Sequence, residues 1–245
     1  MMRDCEILSL VKSPAFPSCL YKFMKAAHAQ LLCQRNRVRY GTIYDFRKQE
    51  KYGHGVLDKE EGLIHYSERV SHATSDQLGE PLRGFFGGAK TELTNCNFDR
   101  IICTEPDQWV YCFSLSDSWE ADIDPAYTVC VQIFDPKGFI MALTEKIART
   151  GTIENFWNHA PVEYRDREFS TVNDNGAISG VIPTRLGVIK PLRYADQKEY
   201  RVLYVPKNQG VGAIEPFCAR IPGLTRYCRR HSVRPNRVQT ANLKL

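Results

Sequence analysis

Strand-like runs outnumber helical stripes along this chain. "RIICTE" (100–105), "WVYCFSLS" (109–116) and "YTVCVQIF" (127–134) are rich in β-branched and aromatic residues, and each predicts a strand. "RVRYGTIYDFR" (37–47) alternates between polar and apolar positions, with Gly41 marking a bend or a close backbone approach, and "LIHYSERV" (63–70) reads as another strand. Further strands are expected over 161–169, 184–190 and 199–205, the last stopped by Pro206, and around 225–233. Helical spacing is confined to two stretches. Residues 19–33 place Leu20, Phe23, Met24, Ala27 and Leu31 on one face, with Ser18 as N-cap. Asp135-Pro136 opens a second helix whose Phe139, Ile140, Leu143 and Ile147 share a face. Residues 72–99 lack a regular period and predict a long loop.

Strands and helices do not alternate one for one, which argues against a doubly wound fold. The expected architecture is α+β, a single domain with a mixed or mostly antiparallel sheet and a few flanking helices. It would span residues 1–219, with a basic segment over 220–245 packed on it or trailing it. The absence of a linker or abrupt composition shift supports one domain for 245 residues.

Charge refines this outline. Residues 219–245 hold seven Lys/Arg and no acid, so the net charge of +5 comes wholly from that segment. Arg226, Arg229, Arg230, Arg234 and Arg237 are therefore candidates for binding phosphate or nucleic acid, the alternative being a solvated tail. The nine cysteines are scattered singly without a Cys-x-x-Cys pair, so reduced thiols in a cytoplasmic protein are expected. No window carries the roughly 18 apolar residues of a membrane span, and Asp4, Glu6 and Lys12 interrupt the first residues where a signal peptide would be apolar.

Short motifs spread over most of the chain resemble those of an uncharacterised bacterial family. They are Gly41-Thr42 with Arg47 and Glu50, then Asp58 with Glu61-Gly62, then Cys112-Phe113-Ser114, then Glu199-Tyr200-Arg201. That resemblance implies no particular activity. A second one does. Arg39 in "VRYGT", Ser114 and Ser116 in "CFSLS", and Gln197 with Glu199 in "QKE" follow the order of motifs in mono-ADP-ribosyltransferases of the Arg–Ser–Glu type. The resemblance implies an ADP-ribosyltransferase-like fold, NAD as substrate with no metal required, and a role as a defence or toxin effector.

Each motif residue has a chemical part in that reading. Breaking the nicotinamide–ribose bond of NAD develops positive charge on the sugar, which a carboxylate stabilises. Glu199 would supply it, Ser114 or Ser116 would fix its rotamer, and Gln197, two residues earlier on an extended strand, would orient the acceptor. Arg39 would grip the pyrophosphate, and Tyr40 and Arg47 join it as candidate cofactor-binding residues. Structural roles compete with each of these. Glu199 would then form a cross-strand salt bridge with an Arg or Lys, the two serines would bond solvent or backbone, and Arg39 would be a surface strand charge.

Two other functions remain open. The basic C-terminal segment suits a nucleic-acid-binding or regulatory module. The acidic residues Glu50, Asp58, Glu60 and Glu61, with Asp196-x-Lys198, sketch a metal-dependent nuclease. No His-Glu-x-x-His, Gly-x-Ser-x-Gly or P-loop ending supports hydrolase or P-loop chemistry.

Overall fold

The computed structural model describes residues 15–47, 58–83, 86, 90–104, 106–118, 127–180, 186–207 and 214–231. Glu50, Arg234 and Arg237 lie outside them. In chain order the elements are β1 (Leu20–Met24), α1 (Ala26–Arg35), β2 (Arg37–Thr42), β3 (Leu63–Thr74), α2 (Glu80–Arg83), β4 (Glu92–Thr104), β5 (Trp109–Ser114) and β6 (Val129–Ile133). They continue with α3 (Pro136–Ala148), β7 (Ile153–Pro161), β8 (Glu163–Tyr164), β9 (Glu168–Asp174), β10 (Ala177–Gly180), β11 (Ile189–Lys190), β12 (Glu199–Pro206), β13 (Phe217–Arg220) and β14 (Cys228–His231). The fold is α+β and its sheets are mostly antiparallel, as the pattern of runs predicts.

The elements gather into two compact units. The first takes its residues from the chain up to Lys59, from Pro106–Val162, and from Arg193 onward. It holds an eight-stranded sheet in the order β13-β2-β5-β1-β6-β14, with β12 lying between β5 and β7. Its core is the buried face of that sheet, where Tyr40, Tyr111, Phe113, Val131, Tyr200, Val202 and Tyr204 meet Phe139, Ile140, Leu143 and Ile147 of α3. The 3.6-residue spacing of those four α3 side chains is what turns them onto one face. The helix starts where expected: the Asp135 side chain accepts from the Gly138 N–H at 2.9 Å, with Pro136 at the first turn.

The second unit, Glu60–Glu105 with Glu163–Leu192, is built on the four-stranded sheet β10-β9-β3-β4. Here β9 runs parallel to β3, whereas the β3–β4 and β9–β10 pairs are antiparallel. Ile64, Tyr66, Val70, Leu78, Leu82 and Phe169 form its core. Within that core the Glu68 carboxylate accepts from Tyr66 Oη at 2.8 Å, Asn173 Nδ2 at 3.0 Å and the Gly79 N–H at 3.1 Å. A fully buried carboxylate so well supplied with donors is a structural tie.

Three expectations need correction. The described part of the strand expected over 184–190 is a 3-10 turn, Leu186–Val188, followed by the two-residue β11. The helix predicted over 19–33 is a strand followed by a helix, divided at Lys25. Residues 20–24 make five registered pairs with β6, and that ladder overrides the helical spacing. The helix that remains buries Ala29 and Leu32, while Leu31 is exposed. The loop predicted over 72–99 is also shorter, because β3 continues to Thr74 and β4 begins at Glu92.

Candidate functional site

Strand β5 is the axis of the first unit. Along one edge it pairs with β12 over its whole length, from Glu199 opposite Ser114 to Tyr204 opposite Trp109. Its other edge is shared. Gly41 and Thr42 of β2 pair with Val110 and Trp109, and Tyr21 of β1 pairs with Ser114. Between these two neighbours the sheet splits along residues 111–113. Lys22 reaches into the split and donates from Nζ to the Cys112 carbonyl oxygen at 2.5 Å, with Nζ 4.4 Å from the centre of the Tyr111 ring. The ammonium thus takes the place of a strand N–H. Burial holds Lys22 below its ordinary pKa, against the opposing pull of the Glu199 carboxylate.

Beside the split lies a buried ion pair. Glu199 and Arg201 are two residues apart on β12, so their side chains leave the same face. Arg201 Nε donates to Glu199 Oε1 and Arg201 Nη2 to Glu199 Oε2, both at 3.1 Å. Arg201 is the largest fully buried side chain described, and Glu199 keeps only a tenth of its side-chain surface exposed. The Phe46 ring lies 6.0 Å from the Arg201 guanidinium. Cys112, opposite Arg201 in register, has its thiol pushed well up by burial and then by the charge of Glu199.

The residues singled out from sequence divide around this frame. Arg39, Ser114 and Glu199 fall on the laterally adjacent strands β2, β5 and β12. Ser114 Oγ donates toward the carbonyl oxygens of Ser116 at 3.0 Å and Gln197 at 3.1 Å, and it accepts from the Ser116 N–H. It ties the end of β5 to the turn before β12. Ser116 Oγ shares a 2.6 Å bond with Ser118 Oγ. Arg39 Nη2 donates to Asp45 Oδ2 at 2.6 Å, while its side chain stays 39% exposed. The Arg47 guanidinium stacks 3.9 Å above the Tyr44 ring.

Three expected roles change. Ser114 and Ser116 bond backbone groups and Ser118, not the Glu199 carboxylate, which Arg201 holds instead. Gln197 does not precede Glu199 on an extended strand. It closes a 3-10 turn, Leu192–Gln197, and Lys198 follows in the left-handed region at φ 43°, so the two-residue alternation starts only at Glu199. Tyr40 points into the core, not toward a cofactor. It is fully buried, donates to the Leu143 carbonyl at 2.8 Å and stacks on Phe217 at 4.7 Å.

The other candidates lie apart. Arg226, Arg229 and Arg230 are exposed, with Arg229 Nε donating to Gln132 Oε1 at 2.8 Å. Asp58 and Glu61 are buried; Arg167 lies 4.0 Å from Glu61, and Glu60 lies 3.8 Å from His65. Among the described residues no three His, Cys, Asp or Glu side chains are grouped to hold a metal, and no helix is long and apolar enough to cross a membrane. The roles of Arg201 and Lys22 were missed in the sequence reading. Glu-x-Arg at the start of a strand signals the first, since it sets both charges on one face. Nothing local signals the second, because Lys22 sits among core residues of β1. Compared with protein-family models, with curated proteins and with solved structures, the chain matches none.

Proposed function

We propose that the protein is an ADP-ribosyltransferase-like enzyme that cleaves the nicotinamide–ribose bond of NAD, with Glu199 as the catalytic carboxylate. The observation that carries this reading is the juxtaposition of Arg39, Ser114 and Glu199 on three neighbouring strands, with Glu199 directly opposite Ser114 across β5 and β12. These residues are 75 and 85 positions apart in sequence. In this proposal the bond from ribose C1′ to the pyridinium nitrogen breaks, and its electron pair leaves with neutral nicotinamide. Glu199 stabilises the sugar cation, and an acceptor nucleophile adds to C1′ and releases a proton.

The geometry reassigns the supporting parts. Arg201 takes over the task first given to Ser114, because its two-point grip fixes the Glu199 rotamer. Ser114 positions the backbone turn from which β12 starts. Arg39, held by Asp45 and partly exposed, offers its guanidinium to the pyrophosphate. The test is nicotinamide release from NAD by wild type, Glu199→Gln and Arg39→Gln, with a cell lysate as acceptor source and circular dichroism as the check on folding. Release by wild type, lost in folded Glu199→Gln and reduced in Arg39→Gln, is the expected result. No release by folded wild type sinks the proposal.

A further inference from the structure

The first unit gathers arginines that are far apart in the sequence. Arg37 on β2 lies directly opposite Arg220 on β13 in the antiparallel register, and both are exposed. Arg39 follows two residues along β2 on the same face, opposite exposed Cys218. The other face of this strand pair carries Val38, Tyr40 and Ala219 into the core. Arg35 ends α1 one residue before Asn36, whose φ of 52° turns the chain into β2. Asn36 also fastens the C-terminal part of the unit: its carbonyl accepts from the Ile221 N–H at 2.8 Å, and its Oδ1 accepts from the Thr225 N–H at 3.1 Å. Arg226 is the next residue, exposed, with its guanidinium 4.7 Å from the Tyr227 ring. Arg35, Arg37, Arg220 and Arg226 thus converge on one asparagine turn.

Opposed like charges destabilise a strand pair, with side chains rooted only about 4.5–5.5 Å apart. Neither strand carries an acid to offset them, and the nearest one beyond β2, Asp45, is taken up by Arg39. From Ile7 to Tyr44, and again from Pro216 to His231, the chain contains no Asp or Glu. A solvated surface chosen only for solubility intersperses both signs. A single-sign strip of arginines instead matches a ligand with closely repeated negative charge, and guanidinium forks suit phosphodiester oxygens.

We infer that the exposed face of the β2–β13 strand pair, with Arg35 and Arg226 at its end, is a docking surface for the phosphate backbone of a nucleic acid. The strip runs from Arg35 and Arg226, through Arg37 and Arg220, toward Arg39, which Asp45 holds. A strand lying on it is brought toward the candidate site without any base being read. Binding is accordingly insensitive to sequence and sensitive to salt.

The test is binding of a fluorescein-labelled 20-base-pair DNA duplex, with an RNA duplex in parallel, between 50 and 200 mM salt. Wild type should lose affinity by on the order of a hundredfold over that range, the fall expected for four phosphate contacts, from Arg35, Arg37, Arg220 and Arg226, at a slope of about 0.9 each. R37Q/R220Q should flatten the slope by about 1.8 in log–log terms. Both residues are exposed, and their removal relieves repulsion, so folding is not at stake. An unchanged slope in R37Q/R220Q, or no binding by wild type at 50 mM salt, overturns the inference. So does equal binding to vesicles of phosphatidylcholine and phosphatidylserine. The same variants assayed for nicotinamide release keep the two proposals separable, because Arg37 and Arg220 have no part in the NAD reaction as proposed.

Discussion

Glu199 and Arg201 test the structure most directly at the level of single residues. Removing one member of a buried ion pair leaves the other desolvated and uncompensated, at a cost of about 3–5 kcal/mol. Arg201→Met should therefore destabilise the protein by that order in urea unfolding. The double variant Glu199→Gln/Arg201→Met should recover part of the loss, because no charge is then stranded. If the double variant is no more stable than Arg201→Met alone, the pair is not the buried unit described. His159 gives a second test. It is buried, its Nδ1 bonds the Tyr200 hydroxyl, and Phe16 stacks on its ring at 4.3 Å. Burial lowers its pKa from 6.5 to about 4. The unfolded chain binds a proton below pH 6.5 and the folded one not until about pH 4. Stability should therefore fall as pH drops through that window, by up to about 1.4 kcal/mol per pH unit. His159→Gln should flatten the dependence of the urea midpoint on pH by one proton.

Elements show where the sequence could be read and where it could not. Helix α3 was legible from its cap and its stripe, because Asp135, Pro136 and the four apolar positions all act locally. Asp135→Ala should cost about 1 kcal/mol in thermal or urea unfolding by exposing the Gly138 N–H. Gly138→Ala is the more telling change. In an open helix it would stabilise, but here an added Cβ overlaps Asp135 Oδ2 and the Tyr227 ring. A lowered melting temperature is expected, and a raised one would contradict the packing of Tyr227 against the helix start. Strand β1 was not legible, since its helical spacing is real and only pairing with β6 decides the matter. Most of β7 was missed as well. Its sequence "IENFWNHAP" mixes polar and apolar residues without alternation, and it is a strand because β12 lies beside it. The three strands that meet at the candidate site were each legible. Their adjacency was not, because the register of Glu199 against Ser114 is a long-range fact. The Arg39–Asp45 pair and the Lys22 bridge follow from that same arrangement.

Across the whole molecule, two units share one chain that passes between them four times. The α+β class was readable from the imbalance of strands and helices. The division into units was not, because neither unit is continuous in sequence. Each has its own core, so damage should register locally first. Gly79→Ala offers a check: a Cβ there overlaps the Tyr66 hydroxyl and crowds Glu68 Oε2. Hydrogen exchange should accelerate in β3 and β9 more than in β5 and β12, and uniform acceleration would argue for a single cooperative unit. The place of β12 also has a consequence for synthesis. The second unit has all its residues by Leu192, whereas β5 and β7 wait for a partner numbered 199–206. At about 5–20 residues per second, β5 stands on the ribosome with that edge unfilled for roughly 5–20 s. The apolar run "WVYCFS" is then an open template for wrong pairing. Glu199 arrives on the strand that closes the gap, so the nascent chain acquires its candidate carboxylate in the same event that ends its most exposed period.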